Sequence, residues 1–328
     1  MKDKRPLIFI GGTTASGKSE CAVELALRIG GEVVSCDSAQ VYRHMDIGTA
    51  KITRDEMKGV PHHMIDVADP REAMSAARYK EMAVPAIEGI YERGKIPVVV
   101  GGTPFYAQGL IYDIDFGAGG PADNGNSGGF PGAETGSADG SVSTEAGRAG
   151  EACPGETGYL QEMDSDSLYG LLSRVDPESA EVIHKNNRKR VLRALQYYYE
   201  TGERISLHNR EQRENTSPYD LSYYAIVPDR ALIYERTDKR VDRMIEEGLE
   251  EEVRGLLNMG CTPDMVSMQA IGYRQMISHI LGNKSLNDTA EEIKTATRHF
   301  AKRQITWLNR EKDAVRVSSG EDILERYR

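Results

Sequence analysis

Cysteine is scarce in this 328-residue chain: the four present, Cys21, Cys36, Cys153 and Cys261, stand far apart with no C-x-x-C pair. That spacing argues against a disulfide framework and against a zinc site, and it suits a reducing, cytoplasmic compartment. Long hydrophobic runs are missing too. The longest, such as IPVVVGG from Ile96, fall far short of a bilayer's thickness, so no membrane partner is expected. The start, MKDKRPLIFIGG, is basic and then briefly apolar but lacks a small-residue cleavage site; it is expected to be a first strand and not a signal peptide. No internal repeat is present. Positive charge is in deficit overall, with a net charge of −10. A global sum does not exclude a local basic face, however. KNNRKRVLR (Lys185 to Arg193) and the segment from Lys294 to Arg310 are strongly basic, whereas acids gather elsewhere, as in EEGLEEEVRG from Glu246.

What the chain does have is a βαβ grammar. Four short runs, LIFI from Leu7, VVSC from Val33, IPVVV from Ile96 and YYAIV from Tyr223, are continuously apolar, as in strands of a parallel sheet buried on both faces. SECAVELALRIGG between the first two reads as a helix stopping at Gly30-Gly31, and a second helix is expected from Met74 to about Arg93. The pattern breaks at about Gly117. From there to Gly158 the chain is rich in Gly, Ser, Ala, Asp and Glu and is expected to be flexible, because so few large apolar residues cannot offset the entropy of ordering. Amphipathic helical spacing resumes at SLYGLLSRV, and the chain beyond about Ala231 reads as mostly helical.

The segment Gly12-Thr13-Thr14-Ala15-Ser16-Gly17-Lys18-Ser19 fits G-x-x-x-x-G-K-[ST] between an expected strand and an expected helix. Its glycines let backbone N–H groups converge on an anion, the helix N-terminus adds positive potential, Lys18 supplies a point charge, and the Ser19 hydroxyl can hold magnesium. The pattern specifies a phosphate chain, not a nucleotide. Asp37 follows the second strand at the same sheet edge, where ligands of such sheets bind. It could hold the metal, accept a proton from a nucleophile, or cap a turn. Ser38, Gln40 and Tyr42 add hydrogen-bonding capacity beside it.

DSAQVYRHMDIGTAK from Asp37, following TTASGKS, resembles the bacterial tRNA dimethylallyltransferase family. The likeness continues in PHHMIDVADP, VVVGGTPFYAQGL, NNRKRVLRAL, QAIGYRQM and AKRQITWLNR, and it covers nearly the whole chain except about 117–158. Thr13 stands where the family usually has proline, and the Gly-rich stretch replaces a charged helical one. The resemblance implies an α/β fold: a P-loop NTPase-like parallel sheet flanked by helices, formed by 1–116 and 206–328, with an inserted mainly helical, tRNA-binding domain at 117–205. It implies transfer of the dimethylallyl group of dimethylallyl diphosphate to the exocyclic amine of an adenosine in a tRNA anticodon stem-loop, with Mg2+ as cofactor and a monomeric enzyme.

By the same resemblance, Gly12 to Ser19 would hold the diphosphate, Asp37 would be the base, and Thr103 would support the base or the phosphates. Arg240, rather than Arg236, would complete the clamp. Contacts to tRNA would come from Asp37, Ser38, Ala39, Gln40 and Thr103; from Lys189, Arg190, Val191, Leu192 and Arg193; from Gln269, Ala270, Ile271, Gly272, Tyr273 and Arg274; and from Lys302 and Arg303. Gln40, Tyr42, Gln269 and Tyr273 are candidates to grip the turned-out base. Trp307 and Tyr197 to Tyr199 could stack on bases or be core. His62-His63, without a third ligand nearby, is expected to be a polar turn. Two rival readings share the glycine loop: a small-molecule or nucleoside kinase, and a non-catalytic RNA-binding protein.

Overall fold

In the computed structural model, which describes residues 4–116 and 158–327, six strands form one parallel sheet in the order β3-β2-β4-β1-β5-β6. These are β1 (Pro6–Gly12), β2 (Glu32–Cys36), β3 (His62–His63), β4 (Pro97–Gly101), β5 (Asp220–Ile226) and β6 (Val315–Val317). The three strands β1, β2 and β4 are buried along almost their whole length, which is why they read as unbroken apolar runs. The two edge strands are short and were not legible as such. His62 and His63 form β3, not the expected polar turn: His63 Nε2 pairs with Glu32 Oε2 at 2.7 Å, and His62 Nδ1 lies 2.8 Å from the Val60 carbonyl.

Helices cover both faces. On one side α1 (Lys18–Ile29) packs its Ala22, Val23, Leu25 and Ala26 on Ile8, Ile10, Val33 and Val98, helped late in the chain by α13 (Glu321–Leu324). On the other lie α2 (Ala76–Glu92) and α3 (Pro104–Ile111), whose Tyr79 and Tyr106 rings stack at 4.1 Å. The Tyr79 phenol donates to the Ser35 carbonyl of β2 at 2.8 Å, anchoring α2 against the strand that leads to Asp37. The helices α9 (Arg230–Glu246), α10 (Leu249–Asn258), α11 (Tyr273–Ile280) and α12 (Leu286–Leu308) pack in a further layer, and α12 also reaches β1.

A second compact unit holds α4 (Gly158–Glu162), α5 (Ser165–Val175), α6 (Pro177–Val182), α7 (Arg188–Thr201) and α8 (Ile205–Gln212). Leu160, Leu168, Leu172, Val191, Ala194 and Leu195 are its core. Asp176 caps α6: its carboxylate accepts from Ser179 N and Oγ at 3.1 and 2.7 Å and from Ser206 N at 3.0 Å. Burial raises its pKa, but the hydrogen bonds from Ser206 and Ser179 outweigh burial and bring it below the usual value. The Ser206 bond ties the start of α8 to this unit, so the boundary falls at 215–216 and not at 205–206 as the sequence suggested. The Gly-rich stretch expected to be flexible lies outside the described residues, apart from Gly158, which opens α4.

Candidate active site

Sheet order alone brings the three key loops together. β2, β4 and β1 are adjacent and parallel, so the residues after each strand share one edge: Asp37 after β2, Gly102 and Thr103 after β4, and the loop 12–17 after β1. The phosphate loop ends at Gly17, with φ 84, which leads directly into α1. Lys18 Nζ donates to the Thr13 carbonyl at 3.1 Å across the loop. The buried Ser16 hydroxyl has no hydrogen-bond partner among the described residues.

Two further contacts join the loops. Ser38 N donates to Thr103 Oγ1 at 3.1 Å, tying the aspartate loop to the β4 loop. Gln304, on α12 and 4% exposed, accepts from Thr14 N at 2.8 Å and donates to the Gly102 carbonyl at 2.9 Å. Gly102 is required by this approach, since a Cβ there would come within 2.3 Å of Gln304 Nε2 and 2.8 Å of the Gly12 carbonyl. Sequence reasoning missed Gln304. The signal was a glutamine at an inward position of an amphipathic helix, three residues from buried Ala301 and Trp307.

Around these loops lies a cavity of about 140 Å³. Thr14, Lys18, Ser19, Asp37, Thr103 and Arg240 form its polar wall, and Ser38, Ala39 and Gln40 continue it. Val241, Met244, Ala270, Ile271, Ile293 and Phe300 add apolar lining, with Thr297 and Gln304 beside the last two on α12. Asp37 Oδ1 accepts from Ala39 N at 2.9 Å and Gln40 N at 3.3 Å. The carboxylate therefore caps its own turn through one oxygen while facing the cavity. Arg240 Nη2 donates to the Thr49 carbonyl at 2.8 Å, whereas Arg236 is exposed and lines no part of the cavity.

The electrostatics favour an anion. Lys18 has its pKa pushed down to about 8, first by lost hydration; Asp37 pulls it up and Arg240 pushes it further down. Lost hydration lowers Arg240 in the same way, again against the pull of Asp37. Two cations thus share one carboxylate, and a diphosphate would relieve both.

Other expected contacts stand differently. Tyr42 and Tyr273 are core, not base-gripping: both are at most 1% exposed, the Tyr42 phenol accepts from Met74 N, and the Tyr273 phenol donates to Glu252. Gln269 Nε2 donates to the Pro263 carbonyl of its own loop at 2.5 Å. Gly272, at φ 96 and buried, leads into α11; Arg274 beyond it is exposed. Val191 is buried in the core of the helical unit, so its side chain does not face solvent for RNA; Leu192 packs against that core and, like Arg190 and Arg193, is half-buried, while Lys189 is exposed. Lys302 is exposed, and Arg303 lies over the Phe300 ring at 5.7 Å. Trp307 and Tyr197 are buried, Trp307 donating to Glu311 Oε1 at 2.5 Å. Part of the basic C-terminal run is neutralised: Arg298 bridges both oxygens of Asp238, at 2.7 and 2.8 Å, and Lys294 meets Asp242 at 2.7 Å.

Fold and cavity together define a P-loop-like α/β protein whose glycine loop shares a cavity with apolar side chains and a carboxylate. The chain belongs to the IPP transferase family, whose model matches residues 40–311. It is 41% identical over 321 residues to the tRNA dimethylallyltransferase of Lachnoclostridium phytofermentans, covering 96% of this chain and 92% of that protein. Among solved structures, the tRNA isopentenylpyrophosphate transferase of Bacillus halodurans is 36% identical with a TM-score of 0.67, covering 99% of this chain and 95% of that one. A eukaryotic dimethylallyltransferase acting on tRNA is 31% identical with a TM-score of 0.75, covering 93% and 70%.

Proposed function

We propose that the chain transfers the dimethylallyl group from dimethylallyl diphosphate to the exocyclic amine of a tRNA adenosine, releasing diphosphate, in the cytoplasm and as a monomer. The adenosine is the one 3′ of the anticodon in tRNAs that read codons beginning with U. The observation that carries the proposal is one cavity lined by Lys18 and Arg240, by Asp37, and by apolar side chains. A kinase of small polar acceptors gains nothing from the apolar lining, whereas a five-carbon tail gains about 0.8 kcal/mol per buried methylene.

In the reaction the allylic C–O bond breaks, a C–N bond forms, the amine proton passes to Asp37, and the electron pair leaves on the diphosphate. Lys18, the loop amides and Arg240 oppose the charge that grows on the departing oxygens. The Asp37 carboxylate takes the proton from an amine whose lone pair is otherwise delocalised into the ring. The Ser19 hydroxyl is a hard oxygen donor on the cavity wall. Such a donor fits magnesium, which takes one or two protein oxygens and completes its shell with phosphate oxygens and water. When bound there, the ion would add positive charge on the diphosphate. For RNA, Lys189 in the helical unit and Arg274 and Lys302 in the core unit supply exposed charges for phosphates, which position the strand without reading it.

Replacing Asp37 with Asn should lower transfer by ~10²- to 10⁴-fold in single-turnover assays, with tRNA affinity changed less than about twofold, as the lost group acts mainly in the transition state. A large loss of tRNA affinity with intact transfer would remove Asp37 from the chemistry.

A further inference from the structure

On α10, far in sequence from the phosphate loop, Glu252 gathers four donors on one carboxylate. It accepts from the N–H groups of three consecutive residues, Asp46 at 2.8 Å, Ile47 at 2.7 Å and Gly48 at 3.1 Å, and from the Tyr273 phenol at 2.6 Å. Consecutive N–H groups turned to one side make an anion nest; here a side chain of the same protein fills it. The contact is close on both sides, since a Cβ on Gly48 would lie 2.5 Å from the Tyr273 ring.

The next two residues face the cavity. The Thr49 carbonyl accepts from Arg240 Nη2 at 2.8 Å, and the carbonyls of Thr49 and Ala50 accept from Gln40 Nε2 at 3.4 and 3.3 Å. Ala50 sits at φ 43, a left-handed conformation that a β-carbon disfavours, so this stretch depends on its anchors. Lys51 is the second anchor, donating to the Tyr42 carbonyl at 2.7 Å and pairing with Asp46 and Asp66 at 2.6 Å. Both anchors meet at Asp46, and Glu252 also reaches Ile47 and Gly48, next to Thr49.

We infer that Glu252 is a positioning residue for the diphosphate site: it fixes loop 46–48, the loop fixes the Thr49 carbonyl, and that carbonyl aims the Arg240 guanidinium into the cavity. The inference rests on the function proposed above, in which Arg240 clamps the diphosphate.

Glu252→Gln keeps the side chain's size but turns an N–H₂ toward backbone N–H donors. Calorimetric titration with inorganic diphosphate, in the presence of magnesium, should show about tenfold weaker binding, and KM for dimethylallyl diphosphate should rise in step while tRNA affinity holds. In an Arg240→Gln background the same substitution should change diphosphate affinity less than about twofold, because the group it acts through is gone. Tyr273→Phe removes a single donor and keeps the ring against Gly48. It replaces Glu252→Gln should that variant not fold, with about a threefold loss expected in the native background and none with Arg240→Gln. Wild-type affinity in the substituted chain, or an equal loss in both backgrounds, overturns the role of Glu252. Failure of the unsubstituted chain to bind diphosphate overturns the functional reading itself, and the inference with it.

Discussion

Lys18 is the residue at which binding and stability pull in opposite directions. Its pKa is pushed down from the ordinary 10.5 to about 8 by lost hydration, offset in part by Asp37. Between those two values the unfolded chain binds more protons than the folded one, so this group makes the fold more stable as pH rises through the window, and the full contribution is present above it. Below about 8 both states carry the proton and the penalty is constant. A diphosphate beside the ammonium favours the charged form. Affinity for dimethylallyl diphosphate should therefore fall as pH rises through about 8, since the ester's own phosphates are already ionised there. Titrations across this range should show the fall in the native chain, and a weak but flat profile in Lys18→Met. A flat profile in the native chain would mean that Lys18 does not face the anion.

At the scale of elements, helix α7 separates packing from recognition within one basic stretch. Val191 is in the core of the helical unit while Lys189, two positions earlier, faces solvent. Val191→Ala should cost about 2 kcal/mol through lost burial and a residual cavity, read in chemical denaturation; Lys189→Ala should leave stability unchanged. Helix α12 divides likewise: Arg298 and Lys294 are held by Asp238 and Asp242 of α9, and Lys302 is exposed.

The same contrast marks what the sequence disclosed. β1, β2, β4, β5 and the first two helices were legible because burial on both faces, or on one helical stripe, leaves an apolar period. β3 and β6 were not, being brief edge strands whose pairing is decided by neighbours. The phosphate loop and Asp37 were legible because local spacing encodes them. The partners that hold them in place, Gln304 and Glu252, were hidden, one inside a helix and one inside an acidic run, because only folding brings them to loops more than two hundred positions away in sequence. Tyr273, offered by the family resemblance as a grip on the turned-out base, is instead a buried anchor that donates to Glu252.

For the whole molecule, a net charge of −10 sits beside a proposed polyanionic substrate. The two fit if binding depends on local contacts, and ionic strength distinguishes them. Log affinity for tRNA should fall linearly with log salt, each phosphate contact adding roughly 0.7–0.9 to the slope, and Lys302→Ala should remove about one such increment while Arg298→Ala removes none. A slope near zero would mean that the exposed basic side chains do not meet RNA.

Whether the glycine loop grips a leaving group or a nucleotide to be spent is decided by incubating the chain with tRNA, magnesium and dimethylallyl diphosphate labelled in its isoprenoid carbons, without ATP. Label should appear in RNA, on an adenosine next to the anticodon, with one diphosphate released per group transferred. RNA that stays unlabelled, together with hydrolysis of ATP or phosphorylation of a small acceptor once ATP is added, would contradict the leaving-group role.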